Sequence, residues 1–245
     1  MSAIALILAA GKGTRMKSDL PKPLVPLKNK PIVKYIIESF EKASIKDVAL
    51  IVGHQAEAVI EHLGKDYVYI HQTEQKGTAH AVLQAKDKID WKGKDVFVFV
   101  GDSPLISNNT INHLLAHHRA SDADCTFLTA DFKIDLPYAR VVKDEKGNLI
   151  KCVEEKNASS EELKIKELLS SHFIFKGDRL FPHIQEIEAD RGNGEYYLTD
   201  ILDIFLKKGY KVEILKINDY EELVGLNTPE DLFWAERFLT RRIHE

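Results

Sequence analysis

Directly after its first apolar run, the chain carries Leu8-Ala9-Ala10-Gly11-Lys12-Gly13-Thr14-Arg15-Met16. Small residues and glycines let backbone approach a ligand closely, and successive N–H groups can form a concavity for an anion. Lys12 and Arg15 add positive charge to that loop, and an arginine can clamp a phosphate through two bonds. The loop is not a Walker A motif, which needs Gly-Lys-Ser/Thr, and Met16 stands where a dinucleotide fingerprint has its third glycine. A plain strand-to-loop turn accounts equally for the glycines alone. The continuation Ser18-Asp19-Leu20-Pro21-Lys22-Pro23-Leu24 turns the reading toward phosphate, because two prolines stiffen the segment that presents Lys22. Farther on, Asp102 follows the apolar run Val96 to Val100, the strand-end position at which open α/β sheets bind ligands. An isolated aspartate there also serves as a turn or cap residue.

The elements that must position these groups follow from periodicity. Ile4 to Ala9, Val48 to Val52, Tyr67 to Ile70 and Val96 to Val100 are short apolar runs bounded by turn residues. Between them, Ile32-Tyr35-Ile36-Phe40, Ala56-Val59-Ile60-Leu63 and Ala79-Val82-Leu83 recur at helical spacing. That alternation predicts a mostly parallel sheet covered on both faces. After about residue 124 the pattern becomes β-rich: strands are expected at Cys125 to Ala130, Arg140 to Lys143, Leu149 to Val153 and Leu168 to Phe175. Asp144-Glu145-Lys146-Gly147-Asn148 reads as a hairpin turn. Helices are expected from about Arg179 to Ile187 and Tyr197 to Lys207, then a strand at Lys211 to Ile217. Thr228 as N-cap and Pro229 in the first turn open a final helix to Ile243. The chain reads as one α/β domain over 1–245, with a nucleotide half (1–123), a mixed, β-rich half (124–227) and a C-terminal helix (228–245).

Composition sets the class. The 245 residues are 44% hydrophobic, and 34 basic against 38 acidic side chains leave a net charge of −4. Nucleic-acid binding is not expected without a basic excess. Ala3 to Ala10 falls far short of the about 20 apolar residues a spanning helix needs, so no membrane association is expected. Two cysteines, Cys125 and Cys152, form neither a disulfide framework nor a close metal pair, which predicts a cytoplasmic protein. His113, His117 and His118 on one predicted helix lack a matching carboxylate and read as a solvated face. Cys125 reads as core. Glu154 and Glu155, adjacent on a strand, point to opposite faces and do not form an acid–base pair.

Taken in order, several motifs resemble the sugar-1-phosphate nucleotidyltransferases, and within them the uridylyltransferase domain of the bifunctional N-acetylglucosamine-1-phosphate enzymes. They are the glycine loop with Leu20-Pro21-Lys22, Gln72 to Ala81, Gly101 to Leu105 and Tyr138-Ala139-Arg140. They continue through Val153 to Lys156, Gly194 to Asp200 and Gly225-Leu226-Asn227-Thr228. The resemblance spans nearly the whole chain and implies a Rossmann-like nucleotidyltransferase fold. It also implies a reaction in which a sugar 1-phosphate attacks the α-phosphorus of UTP and pyrophosphate leaves.

Carried over by position, Leu8 to Arg15 fall at nucleotide-binding positions, Gly11 to Arg15 holding the triphosphate with Arg15 on its outer phosphates, and Lys22 contacts the reacting phosphates. Gln72 and the Gly77-Thr78 backbone read uracil, whose N–H and carbonyl edge a primary amide can match. Asp102 and Asn227 are implied Mg²⁺ ligands, a hard oxygen set, although Asn227 also fits a helix start. Ala139, Glu154, Leu169 and Thr199 fall at sugar-binding positions. Two of these depart from the pattern: Ala139 replaces a glycine, and Leu169-Ser170-Ser171 stands where the family reads Asn-Thr-Gly. Glucose 1-phosphate or another hexose phosphate, and dTTP, therefore remain alternatives to N-acetylglucosamine 1-phosphate and UTP. No hexapeptide repeat appears, so acetyl transfer is not expected. A catalytically weak nucleotide-sugar binder is the reading from another class, and a homo-oligomer stays open. The missing third glycine disfavours a dehydrogenase.

Overall fold

The computed structural model describes residues 2–242. The chain runs β1 (Ala3–Ala9), the short hairpin β2 (Pro26–Leu27) and β3 (Lys30–Pro31), then α1 (Ile32–Lys42), β4 (Asp47–Val52) and α2 (Ala56–Leu63). It continues through β5 (Val68–His71), α3 (Thr78–Leu83), β6 (Asp95–Val100), α4 (Asn108–Ala120) and β7 (Cys125–Asp131). The hairpin β8 (Ala139–Lys143) and β9 (Leu149–Val153) leads to β10 (Glu167–Lys176) and α5 (Gly177–His183). The last elements are α6 (Ile201–Lys207), β11 (Val212–Lys216) and α7 (Pro229–Arg242).

One sheet carries the main path β11-β7-β10-β6-β1-β4-β5, with β8 on β10 and β9 on β8. β1 lies parallel to β4 and β6, β4 to β5, and β11 to β7. β10 is antiparallel to β6, β7 and β8. The expected parallel sheet and β-rich second half are thus joined by one reversed strand.

Alternation along the strands builds two cores, one on each face. Ala5 and Ile7 of β1, Leu50 of β4 and Phe97 and Phe99 of β6 pack with Ile36 and Phe40 of α1, Leu114 of α4 and Phe238 of α7. Ile4 and Leu6, Ala49 and Ile51, and Val96 and Val98 pack the other way, with Val82 of α3, Phe181 of α5 and Phe205 of α6. Burial of consecutive residues is why these strands read as unbroken apolar runs. Among the described residues no helix is long and apolar enough to cross a membrane.

Three expectations change in detail. The helix expected over Arg179 to Ile187 is α5 followed by a 3-10 turn at Ile184–Glu186, with Pro182 inside α5 removing a backbone donor. The helix expected from Tyr197 starts as a 3-10 turn, Leu198–Asp200, before α6. His118 is buried at 1% exposure rather than solvated, because Ile111, Leu114 and His118 form the inward stripe of α4. The end of the final helix at Ile243 lies outside the described residues.

Candidate active site

Because β1, β4, β5 and β6 are parallel, their carboxyl ends open on one edge of the sheet. A cleft of about 270 Å³ lies there, floored by Leu8 to Gly11 at the end of β1 and Val100, Gly101 and Asp102 at the end of β6. Gly101 closes this floor: its N–H donates to the Leu8 carbonyl at 2.8 Å, and a Cβ would stand 2.8 Å from the same oxygen.

Lys22 reaches the cleft from a 3-10 turn, Lys22–Leu24, that Pro21 precedes and Pro23 continues. Its ammonium donates to Asp102 Oδ2 at 2.5 Å and to Asn227 Oδ1 at 2.8 Å. Arg15 Nη2 donates to the same Asn227 oxygen at 3.0 Å. Gly13, at φ +60°, packs so closely that a Cβ would fall 2.5 Å from Lys22 Cβ, so the lysine stem occupies the space glycine leaves open. Four residues the sequence separates by as many as 212 positions therefore meet at one point.

Asn227 is placed by the start of α7. The Asp231 carboxylate accepts from the N–H groups of Asn227 at 2.7 Å and Thr228 at 2.9 Å, and Thr228 Oγ1 accepts from Asp231 N at 3.2 Å. This reciprocal cap fixes the backbone on which the amide stands. Asp102 is held from the other side. Its carbonyl accepts from Leu226 N at 2.8 Å, and a Cβ on Gly225 would lie 3.0 Å from its Oδ1. The Tyr138 hydroxyl accepts from Gly225 N at 2.7 Å, and burial, reinforced by the Asp102 charge, raises that phenol. On β10, burial pushes the His172 imidazole down to about 4, against the opposing pull of Asp102; its Nδ1 lies 2.9 Å from Ser170 Oγ.

At the far wall, Gln72 is 3% exposed and its Nε2 donates to the Gly77 carbonyl at 3.3 Å and lies 2.9 Å from His80 Nδ1. Gly77, at φ +100°, runs against Tyr196, where a Cβ would come within 2.5 Å of the carbonyl oxygen. Thr78 Oγ1 accepts from Leu198 N at 2.9 Å, tying this loop to the segment carrying Thr199. Thr199 Oγ1 donates to Glu154 Oε1 at 2.7 Å; burial raises the Glu154 carboxyl and this hydrogen bond opposes the rise. Glu155 is exposed. Cys125 is buried, which raises its thiol well above the ordinary range and fits core.

The structure thus brings together Arg15, Lys22, Asp102 and Asn227, and sets Gln72, Gly77 and Thr78 on the same cleft as the glycine loop. Lys12 is exposed beside it. Ala139 and Leu169 are placed differently. They pair across β8 and β10, are each 2% exposed, and pack in the apolar core, so neither side chain offers a face to a sugar. Ser171 beside them has φ +61°, and the β10 register shifts between Leu169 and Phe173, as at a bulge. Gln75, Glu195 and Pro23 also line the cleft; their motifs are read from sequence, but no ligand contact is expected of them there. Gln75 carried a usable signal, lying between Gln72 and Gly77; its Nε2 donates to the Gln72 carbonyl at 3.0 Å.

Among the described residues no three His, Cys, Asp or Glu side chains converge as a metal cage. Asp102 and Asn227 nevertheless aim one carboxylate and one amide oxygen at a shared cationic position, that of the Lys22 ammonium. This sparse oxygen set fits Mg²⁺, which takes few protein ligands and completes its shell with phosphate and water.

The family model for the MobA-like NTP transferase domain matches residues 5–202. The bifunctional protein GlmU of Staphylococcus carnosus (strain TM300) is 40% identical over 245 residues, covering 100% of this chain and 54% of that protein. The bifunctional protein GlmU of Enterococcus faecalis (strain ATCC 700802 / V583) is 39% identical over 241 residues, 98% of this chain and 53% of that protein. The chain spans about half the length of these curated relatives. A crystal structure of UDP-glucose pyrophosphorylase complexed with UDP-glucose shares the fold, with TM-score 0.78, 17% identity, and coverage of 99% of this chain and 100% of that one.

Proposed function

The chain belongs to the MobA-like NTP transferase domain family, and from that premise we propose that it is a sugar-1-phosphate nucleotidyltransferase that joins UTP and N-acetylglucosamine 1-phosphate. A phosphate oxygen of the sugar 1-phosphate attacks the α-phosphorus of UTP; the new P–O bond forms as the bond to the β-phosphate bridge breaks, and pyrophosphate leaves. The convergence of Lys22, Arg15, Asp102 and Asn227 at the head of a glycine-floored cleft carries this reading.

Such a transfer asks for in-line placement and neutralised phosphate charge rather than a covalent intermediate. The backbone of Leu8 to Gly13 cradles the triphosphate, and the Lys22 ammonium and Arg15 guanidinium draw charge toward the departing pyrophosphate. Asp102 and Asn227 would hold Mg²⁺, which when bound would neutralise charge on phosphate oxygens. Gln72, oriented by Gly77 and His80, reads the nucleobase edge. Glu154 and Thr199, already hydrogen-bonded to each other, meet sugar hydroxyls. The buried Ala139 and Leu169 side chains leave the sugar 2-substituent to other groups, which keeps glucose 1-phosphate in contention.

Pyrophosphate release tests the proposal, using UTP or dTTP with a panel of sugar 1-phosphates, each with and without EDTA. Release with UTP and at least one sugar phosphate, abolished by EDTA, is expected. Nucleotide binding with no release across the panel would identify a binding protein instead.

A further inference from the structure

The Lys22 ammonium occupies the point at which the Asp102 and Asn227 oxygens converge, 2.5 Å from the first and 2.8 Å from the second. These are the two oxygens that the proposed Mg²⁺ site requires. An ammonium and a divalent cation cannot share them, because they would overlap and repel strongly at such a separation. The lysine is also well seated there: its side chain is 13% exposed, the Gly13 backbone fits against its stem, and prolines flank its backbone on both sides. Arg15, 3.0 Å from the Asn227 oxygen, adds further positive charge at the same place.

We propose that Lys22 is a built-in competitor for the metal position, so that the cation enters only as the lysine leaves. The lysine stem has four rotatable methylene links, so its ammonium can swing away while the proline-fixed backbone stays in place. What draws it off is a polyanion in the glycine-loop cradle, the one ligand class that satisfies the ammonium elsewhere while it also attracts the divalent ion. Metal and nucleotide are therefore coupled through one side chain, and each strengthens binding of the other by the same factor. The chain holds its carboxylate paired in the meantime, which avoids leaving Asp102 as an uncompensated, partly buried charge.

This inference rests on the proposed metal position, and the test separates the two. Binding of Mn²⁺ alone is followed by loss of the free-ion EPR signal, with the full chain and no nucleotide, for wild type, Lys22→Met and Lys22→Gln. Both variants keep a stem of similar length and lose the charge. Each is expected to bind Mn²⁺ about tenfold tighter than wild type or better, within the 5–150-fold range common for coupled sites. Asp102→Ala in the Lys22→Met background is expected to abolish that gain. Equal Mn²⁺ affinity in wild type and both folded Lys22 variants, with Asp102→Ala still abolishing binding, would overturn the competition and leave the metal position standing. Mn²⁺ binding indifferent to Asp102→Ala in every background would overturn the metal position itself. Circular dichroism and a thermal melt with and without Mn²⁺ establish that each variant is folded.

Discussion

A single lysine touching both a carboxylate and an amide makes Asp102 and Lys22 the residues whose loss costs most. Asp102→Ala and Lys22→Ala are each expected to lower turnover by about 10²-fold or more, the scale of removing one transition-state contact; steady-state pyrophosphate release measures it. Gly225→Ala is a subtler probe. The new methyl would sit 3.0 Å from Asp102 Oδ1 and 3.3 Å from Tyr138 Oη, so it must push the carboxylate aside. We expect turnover to fall about tenfold with thermal stability nearly unchanged, read from kinetics and a melt on one preparation. Much of this site is legible in sequence because its groups stand in short motifs: Gly11 to Arg15, Lys22, Gly101-Asp102 and Asn227. Gly225 and Tyr138 stand in motifs too, but their roles are not legible there, since those depend on how close two distant backbones pass. Leu169 turns into the apolar core beside the β10 register shift, an orientation that position in a motif does not reveal.

At the level of elements, the cap of α7 does two jobs, ending the loop and aiming Asn227. Asp231→Ala removes the acceptor for the N–H groups of Asn227 and Thr228 and is expected to cost about 1 kcal/mol in urea unfolding. It should also raise the metal concentration needed for half-maximal turnover, which a Mg²⁺ titration reads. Ser107→Ala at α4 is the control, since the Ser107 hydroxyl accepts from Thr110 N at 3.1 Å and donates to Thr110 Oγ1 at 3.1 Å, both within its own cap; a similar loss of stability is expected with no change in metal requirement. The helices and strands were largely legible because each buries a stripe or a continuous run: Ile32, Ile36 and Phe40 on α1, or Val96 to Phe99 on β6. The partner of a strand was not. Leu168 to Phe175 carries the same residues whether it pairs parallel or antiparallel, and only the assembled sheet shows β10 reversed between β6 and β7.

For the molecule as a whole, two buried histidines set a limit on the acid side. His118 packs with Thr126 at 2.9 Å and Asp95 at 3.8 Å, with Lys176, Arg119 and Asp124 as further charged neighbours; burial pushes it, like His172, down to about 4. The unfolded chain takes up these protons near pH 6.5 and the folded chain only near 4, so stability is retained above pH 6.5 and lost as pH falls through that window. The loss is on the order of 3 kcal/mol for each histidine. Urea midpoints between pH 7 and 4 should fall accordingly, and His118→Gln should flatten the slope. A different consequence belongs to the reversed strand. β6, which carries Asp102 at its end, receives its second neighbour only when residues 172–176 arrive, more than 70 positions after it is made. During synthesis the first half therefore emerges from the ribosome with an apolar strand edge open on one side, and that edge invites pairing with other chains. A nascent polypeptide stalled before β10 should be the aggregation-prone species, and one released after it the quiet one.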